Sequence, residues 1–283
     1  MSASLKGLPF AKMTGSGNDF VFFDGRVVPL PLVTTPEAIT RICNRYNGIG
    51  ADGVVVLEPI MSGADVQIHY YNSDGSPADL CGNATLCSTA LSAELGLAQS
   101  SGMQLLTGAG LINSRVASPV GLPEIDLQPV TDIRGAMPIE LGPGEERVGF
   151  SIAGIPHLVV LAADAEVIDL AARGPGLRWH PSTGERGANV NWVSPLPDGR
   201  WRYRTFERGV EGETLACGTG AVATAILLVH WGLASLPTVT LQTSSGRDVR
   251  VSLSEVGSGN AGYAPTLSGE GRIVFRGNIG DLG

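Results

Sequence analysis

Leu80-Cys-Gly-Asn-Ala84 and Ala216-Cys-Gly-Thr-Gly220 are the two short stretches from which the fold of this chain can be read. After the first, apolar residues at Ala84, Cys87, Leu91 and Leu95 recur on one helical face, and Gly96 stops the pattern; the spacing predicts a helix from Asn83 to Leu95. After the second, a helix is predicted from Thr219 to Trp231, stopped by Gly232. It is apolar on nearly every side, as a helix enclosed by a sheet must be. Each stop glycine follows its cysteine by fifteen residues, and Leu91 and Leu227 fall at matching offsets. A glycine-containing polar turn precedes each cysteine, at Asp74–Asp79 and Glu211–Leu215. Two copies half a chain apart are not a solenoid. They predict a duplication, each copy presenting Cys-Gly at the start of its central helix.

Short strand-like runs surround both helices: Phe20–Phe23, Gly53–Leu57, Val66–Tyr71, Met103–Thr107, Glu124–Gln128, Val148–Ile152 and Leu158–Ala162, with a closing strand at Gly271–Gly277. The expected fold is therefore α/β of the α+β type, with two pseudo-symmetric domains, each a curved mixed sheet wrapped around one helix. One domain should take residues 1–128 with 271–283 and carry Cys81; the other should take 129–270 and carry Cys217. A chain of 283 residues agrees with two domains. A net charge of -8 speaks against nucleic acid or anionic membrane as partner. The longest apolar run, Val222–Leu236, is too short to span a bilayer, and the first residues show no secretory h-region. Four cysteines in this length do not form a disulfide scaffold, so a cytoplasmic, reduced protein is expected.

At a helix N-terminus the free amides and the macrodipole favour negative charge, so a cysteine there is expected to be a thiolate near neutral pH. The glycine that follows lets a small carboxylate approach those amides. If the two starts face one cleft, one thiolate can remove the α-proton of a bound amino acid while the other thiol reprotonates the opposite face. That is two-base inversion, and it needs neither metal nor pyridoxal group; no cofactor and no metal site are expected. Cys43 and Cys87 read as packing residues.

The chain resembles the diaminopimelate epimerase family of pyridoxal-independent epimerases and racemases. The resemblance rests on Lys12–Phe20, Gly48–Gly53, Asn72–Ser76 with Cys81–Asn83, Pro156-His157, Gly187–Asn191, Glu207–Gly209 and Gly212–Ala221, in the family's order. It implies that Cys81 and Cys217 are the acid–base pair and that His157 and Glu207 are the polar partners of the thiols. Gly82, Asn83, Gly218 and Thr219 would lend amides to the reacting carboxylate. Asn18, Asn72, Asn189, Glu207 and Arg208 would hold the substrate, largely its distal amino acid head, with Arg208 on the far carboxylate. A small-molecule amino acid is the implied partner, with a homodimer as assembly.

Four positions depart from the family pattern. Ala84 and Leu86 stand where a glycine and an arginine are common, and Ala84 is expected to tighten the pocket. Ile155 replaces an asparagine that touches substrate, and Glu211 is an extra residue in the turn before Cys217. Two other readings therefore stay open: a racemase of another amino acid, such as histidine or a proline derivative, and a thiol hydrolase using His157 as base.

Overall fold

A computed structural model describes residues 4–116, 121–257 and 262–282. The chain divides into two compact units, Met1–Ile125 with Gly269–Gly283, and Asp126–Ser268. In chain order the first unit contains β1 (Pro9–Gly15), β2 (Asn18–Asp24), α1 (Leu30–Val33), α2 (Pro36–Cys43), β3 (Gly53–Pro59), β4 (Val66–Asn72), α3 (Gly82–Glu94), β5 (Met103–Thr107), β6 (Gly110–Val116) and β7 (Pro123–Asp126). The second contains β8 (Ile133–Arg134), β9 (Glu145–Ala153), β10 (Ile155–Ala162), α4 (Leu170–Arg178), β11 (Asn189–Pro195), β12 (Trp201–Glu207), β13 (Gly212–Thr214), α5 (Gly218–His230), β14 (Thr238–Gln242), β15 (Asp248–Glu255) and β16 (Tyr263–Ser268). The chain then returns to the first unit with β17 (Arg272–Asn278).

The two units repeat one topology. In the first, β1 lies antiparallel between β17 and β2, β2 runs parallel to β3, β3 pairs antiparallel with β4, and β4 pairs parallel with β5. In the second, β9 lies antiparallel between β8 and β10, β10 runs parallel to β11, β11 pairs antiparallel with β12, and β12 pairs parallel with β14. Register repeats too. Phe20 pairs with Gly53 where His157 pairs with Asn189, and Val55 pairs with Tyr70 where Asn191 pairs with Thr205. The duplication seen in the helix starts thus extends across both mixed sheets.

Period-two alternation explains why each sheet is covered on both faces. On β2, Phe20 and Phe22 pack toward α3, while Val21 and Phe23 pack with Ile39 and Ile42 of α2. On β10 and β11, Leu158, Val160, Val190 and Trp192 pack with Leu170 and Leu177 of α4. α3 and α5 are enclosed, although α3 carries Thr85, Ser88 and Thr89 among its buried residues. Those hydroxyls bond back to the carbonyls of Cys81, Ala84 and Thr85, four residues earlier, which satisfies them inside the core. Both helices end as expected: Gly96 and Gly232 are left-handed, at φ of 65° and 72°. They begin one residue earlier than predicted, because each cysteine is itself the N-cap. The strand expected at Glu124–Gln128 is shorter and earlier, at Pro123–Asp126.

Ala84 and Gly220 each stand three residues after their cysteine, and the sheet decides which side chain each tolerates. A Cβ on Gly220 would stand 2.3 Å from Tyr203 Oη and 2.4 Å from Asn191 Oδ1. Ile68 and Val55 take those two sheet positions in the first unit, where Ala84 packs with them, 1% exposed. The Ala84 methyl therefore fills the core and does not narrow a pocket. Gly220→Ala should push Tyr203 off the Cys217 carbonyl, which its hydroxyl reaches at 3.0 Å, and destabilise the protein by about 1–3 kcal/mol. Denaturant unfolding would measure this; an unchanged midpoint would mean that the Tyr203–Asn191 contact is slack.

Candidate active site

Each unit carries a cluster of the expected residues around its cysteine. In the first, Cys81 is half-buried at the start of α3, and its side chain makes no capping hydrogen bond. Asn83 donates from Nδ2 to Asn18 Oδ1 at 2.6 Å, and Asn18 donates to Asp52 Oδ2 at 3.1 Å. Arg45 closes that chain by pairing with both Asp52 and Asp19. Asn72, at the end of β4, accepts from the Tyr70 hydroxyl at 3.2 Å and donates to Ser76 Oγ at 3.0 Å. Asn18, Asn72, Asn83 and Cys81 are therefore brought together by the β1–β2 turn, the end of β4 and the start of α3.

In the second unit Cys217 is buried at the start of α5. Asn189 Nδ2 and Thr219 Oγ1 each lie 3.6 Å from its sulfur. The Glu207 carboxylate accepts a hydrogen bond from the Thr214 hydroxyl and lies close enough for its charge to act on the Cys217 thiol. Burial pushes the Cys217 thiol up to about 12, and the Glu207 charge adds to it; Thr219, the Gly220 amide and Asn189 pull the other way without prevailing. The expectation of a thiolate is thus corrected for Cys217: desolvation and a neighbouring carboxylate outweigh the helix N-terminus, and the group rests as a thiol. Burial likewise holds Glu207 above the usual carboxylate range.

His157 is fully buried and does not bond the sulfur. Its Nε2 lies 3.1 Å from Thr219 Oγ1, and its Nδ1 lies 3.3 Å from Asn191 Nδ2. Burial, with the Arg208 charge, takes it down to about 3, so it is neutral. A neutral imidazole of that basicity, separated from Cys217 by a hydroxyl, is poorly placed to activate a thiol nucleophile. Arg208 donates its backbone N–H to Asn189 Oδ1 at 2.9 Å, which turns Asn189 toward the thiol. Its guanidinium does not pair with Glu207. Among the described residues Arg208 Nη1 is a buried donor with no hydrogen-bond partner, and burial together with the charges of Arg178 and Arg186 lowers the guanidinium's pKa. Arg178 itself pairs at 3.2 Å with Glu211, the extra residue, held at a left-handed φ of 55°. Ile155 is half-buried at the start of β10.

Asn191, Tyr203 and Tyr70 belong to these clusters although the sequence reading did not select them. Asn191 lay inside the Gly187–Asn191 motif, and strand alternation puts it on the α5 face with Asn189. Tyr203 and Tyr70 gave no signal beyond strand periodicity. The two cysteines read as packing residues are buried: Cys43 is pushed up to about 12 and Cys87 also lies well above an ordinary thiol, both by desolvation. Among the described residues no three His, Cys, Asp or Glu side chains gather as a metal site, and no helix is long and apolar enough to cross a membrane.

The family model for diaminopimelate epimerase matches residues 10–121 and 150–263. A diaminopimelate epimerase of Gemmatimonas aurantiaca is 66% identical over 280 residues, 97% of this chain and all of that protein. One of Aquifex aeolicus is 34% identical over 257 residues, covering 88% of this chain and 91% of the relative. Among solved structures, a PhzF-family phenazine biosynthesis protein of Bacillus anthracis superposes with a TM-score of 0.71 at 14% identity, covering 96% of this chain and 98% of that one. A hydroxyproline epimerase of Agrobacterium vitis does so with a TM-score of 0.64 at 19% identity, covering 97% and 92%. These two share the fold. Motif order, family model and near end-to-end identity agree: the chain belongs to the diaminopimelate epimerase family and is an isomerase.

Proposed function

We propose that the chain interconverts LL- and meso-diaminopimelate, in the supply of lysine and peptidoglycan precursors, with Cys81 and Cys217 as a two-base pair. The observation that carries this is the repetition of a cysteine at the N-cap of a central helix in two units of identical topology. The amides of Gly82, Asn83, Gly218 and Thr219 are available there to a carboxylate and to the charge that develops on it as the α-proton leaves. One thiolate takes that proton and becomes a thiol. The carbanion then takes a proton on its other face from the second thiol, which becomes a thiolate. Cys217, protonated beside Glu207, is set to be the donor; in the reverse direction Glu207 accepts its proton and Cys217 becomes the base.

Arg208 favours diaminopimelate over the two other readings. Its unpartnered Nη1 suits a second carboxylate, which histidine and proline derivatives lack. His157, neutral and bonded to Thr219, weakens the hydrolase reading. We place the enzyme in the cytoplasm as a homodimer. The half-exposed Val274 and Phe275 on β17, which among the described strands pairs with β1 alone, offer an apolar edge for that contact. Incubation with LL-diaminopimelate in deuterated water under reducing conditions should place deuterium at one α-carbon as the meso isomer forms. Meso product without deuterium would end the two-base reading, and neither exchange nor product would end the proposal for this substrate.

A further inference from the structure

The two thiols are served by donors from different strands, and the reason lies at Gly53. Gly53 and Asn189 hold the same place in their sheets, opposite Phe20 and His157. In the second unit the Asn189 amide occupies that place and donates to the Cys217 sulfur at 3.6 Å. In the first there is no side chain to do so. A Cβ on Gly53 would stand 2.8 Å from Tyr70 Cε2 and 3.4 Å from Cζ, so the Tyr70 ring lies across the glycine. Phe20 holds the ring edge to face, with centroids 5.9 Å apart. From there the hydroxyl lies beside the Cys81 thiol and donates to Asn72 Oδ1 at 3.2 Å. Thr205, which takes the place of Tyr70 in the second unit, is committed to Asn191 Oδ1 at 3.1 Å.

We propose that Tyr70 is a positioning residue for Cys81, its phenol O–H turning from Asn72 to the sulfur when Cys81 loses its proton and so holding the thiolate in place as base. The inference rests on the assignment of Cys81 to the acid–base pair. A phenol has one proton to donate, so the two contacts alternate. With Cys81 as a thiol, the O–H stays on Asn72 and the phenol oxygen accepts from S–H; with the thiolate, the O–H swings to sulfur. Burial raises the phenol's own pKa, so it remains a donor. Other ionisable groups whose fields reach this pair include Cys87 within α3, Cys43 at the end of α2, and Asp52 before β3. Asp52 is itself held by Arg45 and Asn18. The thiols are therefore unlike by construction. Cys81 has a neutral O–H donor that favours its anion, and Cys217 has a carboxylate that favours its proton.

Tyr70→Phe tests this, since the ring over Gly53 is kept and only the hydroxyl is lost. Iodoacetamide labelling would be followed across pH at the Cys81 and Cys217 peptides separately, by mass spectrometry. The Cys81 midpoint should rise by about one pH unit, which is about tenfold less thiolate at a given pH below it. The acid limb of kcat/KM should move up with it, while the Cys217 labelling profile and the melting temperature stay put. An unmoved Cys81 midpoint in a variant that melts normally overturns the role of Tyr70. If Cys81→Ala is inactive in that case, the acid–base assignment stands and only the Tyr70 inference falls; an active Cys81→Ala overturns the assignment and the inference with it.

Discussion

Replacing either Cys81 or Cys217 with alanine should lower the epimerisation kcat by about 10²–10⁴-fold, the usual contribution of a positioned acid or base. Both variants should suffer, because every turnover needs a base on one face of the α-carbon and an acid on the other. The double variant should be no worse than the poorer single one, since the two groups act as a unit and their effects do not add. Separation of the LL and meso isomers by chiral chromatography would measure the rate in either direction. Neither alanine should unfold the protein: Cys81 is only half-buried, and the carbonyls of both cysteines, which accept from Thr85 and Ala221 to open the helices, are retained. A thiol hydrolase would behave differently, with one cysteine essential and the other dispensable. If either variant keeps activity within about tenfold of the parent, well short of what an acid or base contributes, the two-base reading is lost.

What the sequence reveals of this fold follows from where its constraints are local. A helix start that must expose amides and a thiol uses a few adjacent residues, and its end uses one left-handed glycine. The Cys-Gly starts, Gly96 and Gly232 are thus legible without coordinates. The sheet partners are not, because they come from strands far apart in the chain. Tyr70 gains its contact with Cys81 only because Gly53, on the neighbouring strand, leaves room for the ring. Gly220 is obligatory and Ala84 permitted for a similar reason, set by Tyr203 and Asn191 in one sheet and Ile68 and Val55 in the other. The ionisation of Cys217 is equally non-local. The helix N-terminus argues for an anion, but enclosure by the sheet and the arrival of Glu207 from β12 decide for the thiol. The separation of Arg208 from Glu207 has the same origin. Glu207 is the last residue of β12 and faces Thr214 and Cys217, whereas Arg208 opens the turn that follows.

Arg208→Met should cost the enzyme substrate and gain it stability, and the opposition of the two effects is what makes the variant informative. In the protein described here, the guanidinium is held near Arg178 and Arg186 with Nη1 buried and unpartnered, and its lowered pKa reports that the charge is disfavoured there. Methionine keeps much of the apolar stem and removes the charge, so the melting temperature of the ligand-free protein should rise. The distal carboxylate of diaminopimelate then loses its partner. Loss of one member of a desolvated, hydrogen-bonded charge pair costs about 2–5 kcal/mol, which corresponds to a fall in kcat/KM of roughly 30- to 5,000-fold. Most of it should appear in KM, because this contact is made equally in the ground and transition states. Lysine at the same position keeps the charge but loses the planar fork, and should recover only part of the affinity. Unchanged KM with a raised melting temperature would detach Arg208 from the substrate. A stabilised protein that binds diaminopimelate poorly would instead show a cation kept at a cost to folding because the second carboxylate needs it.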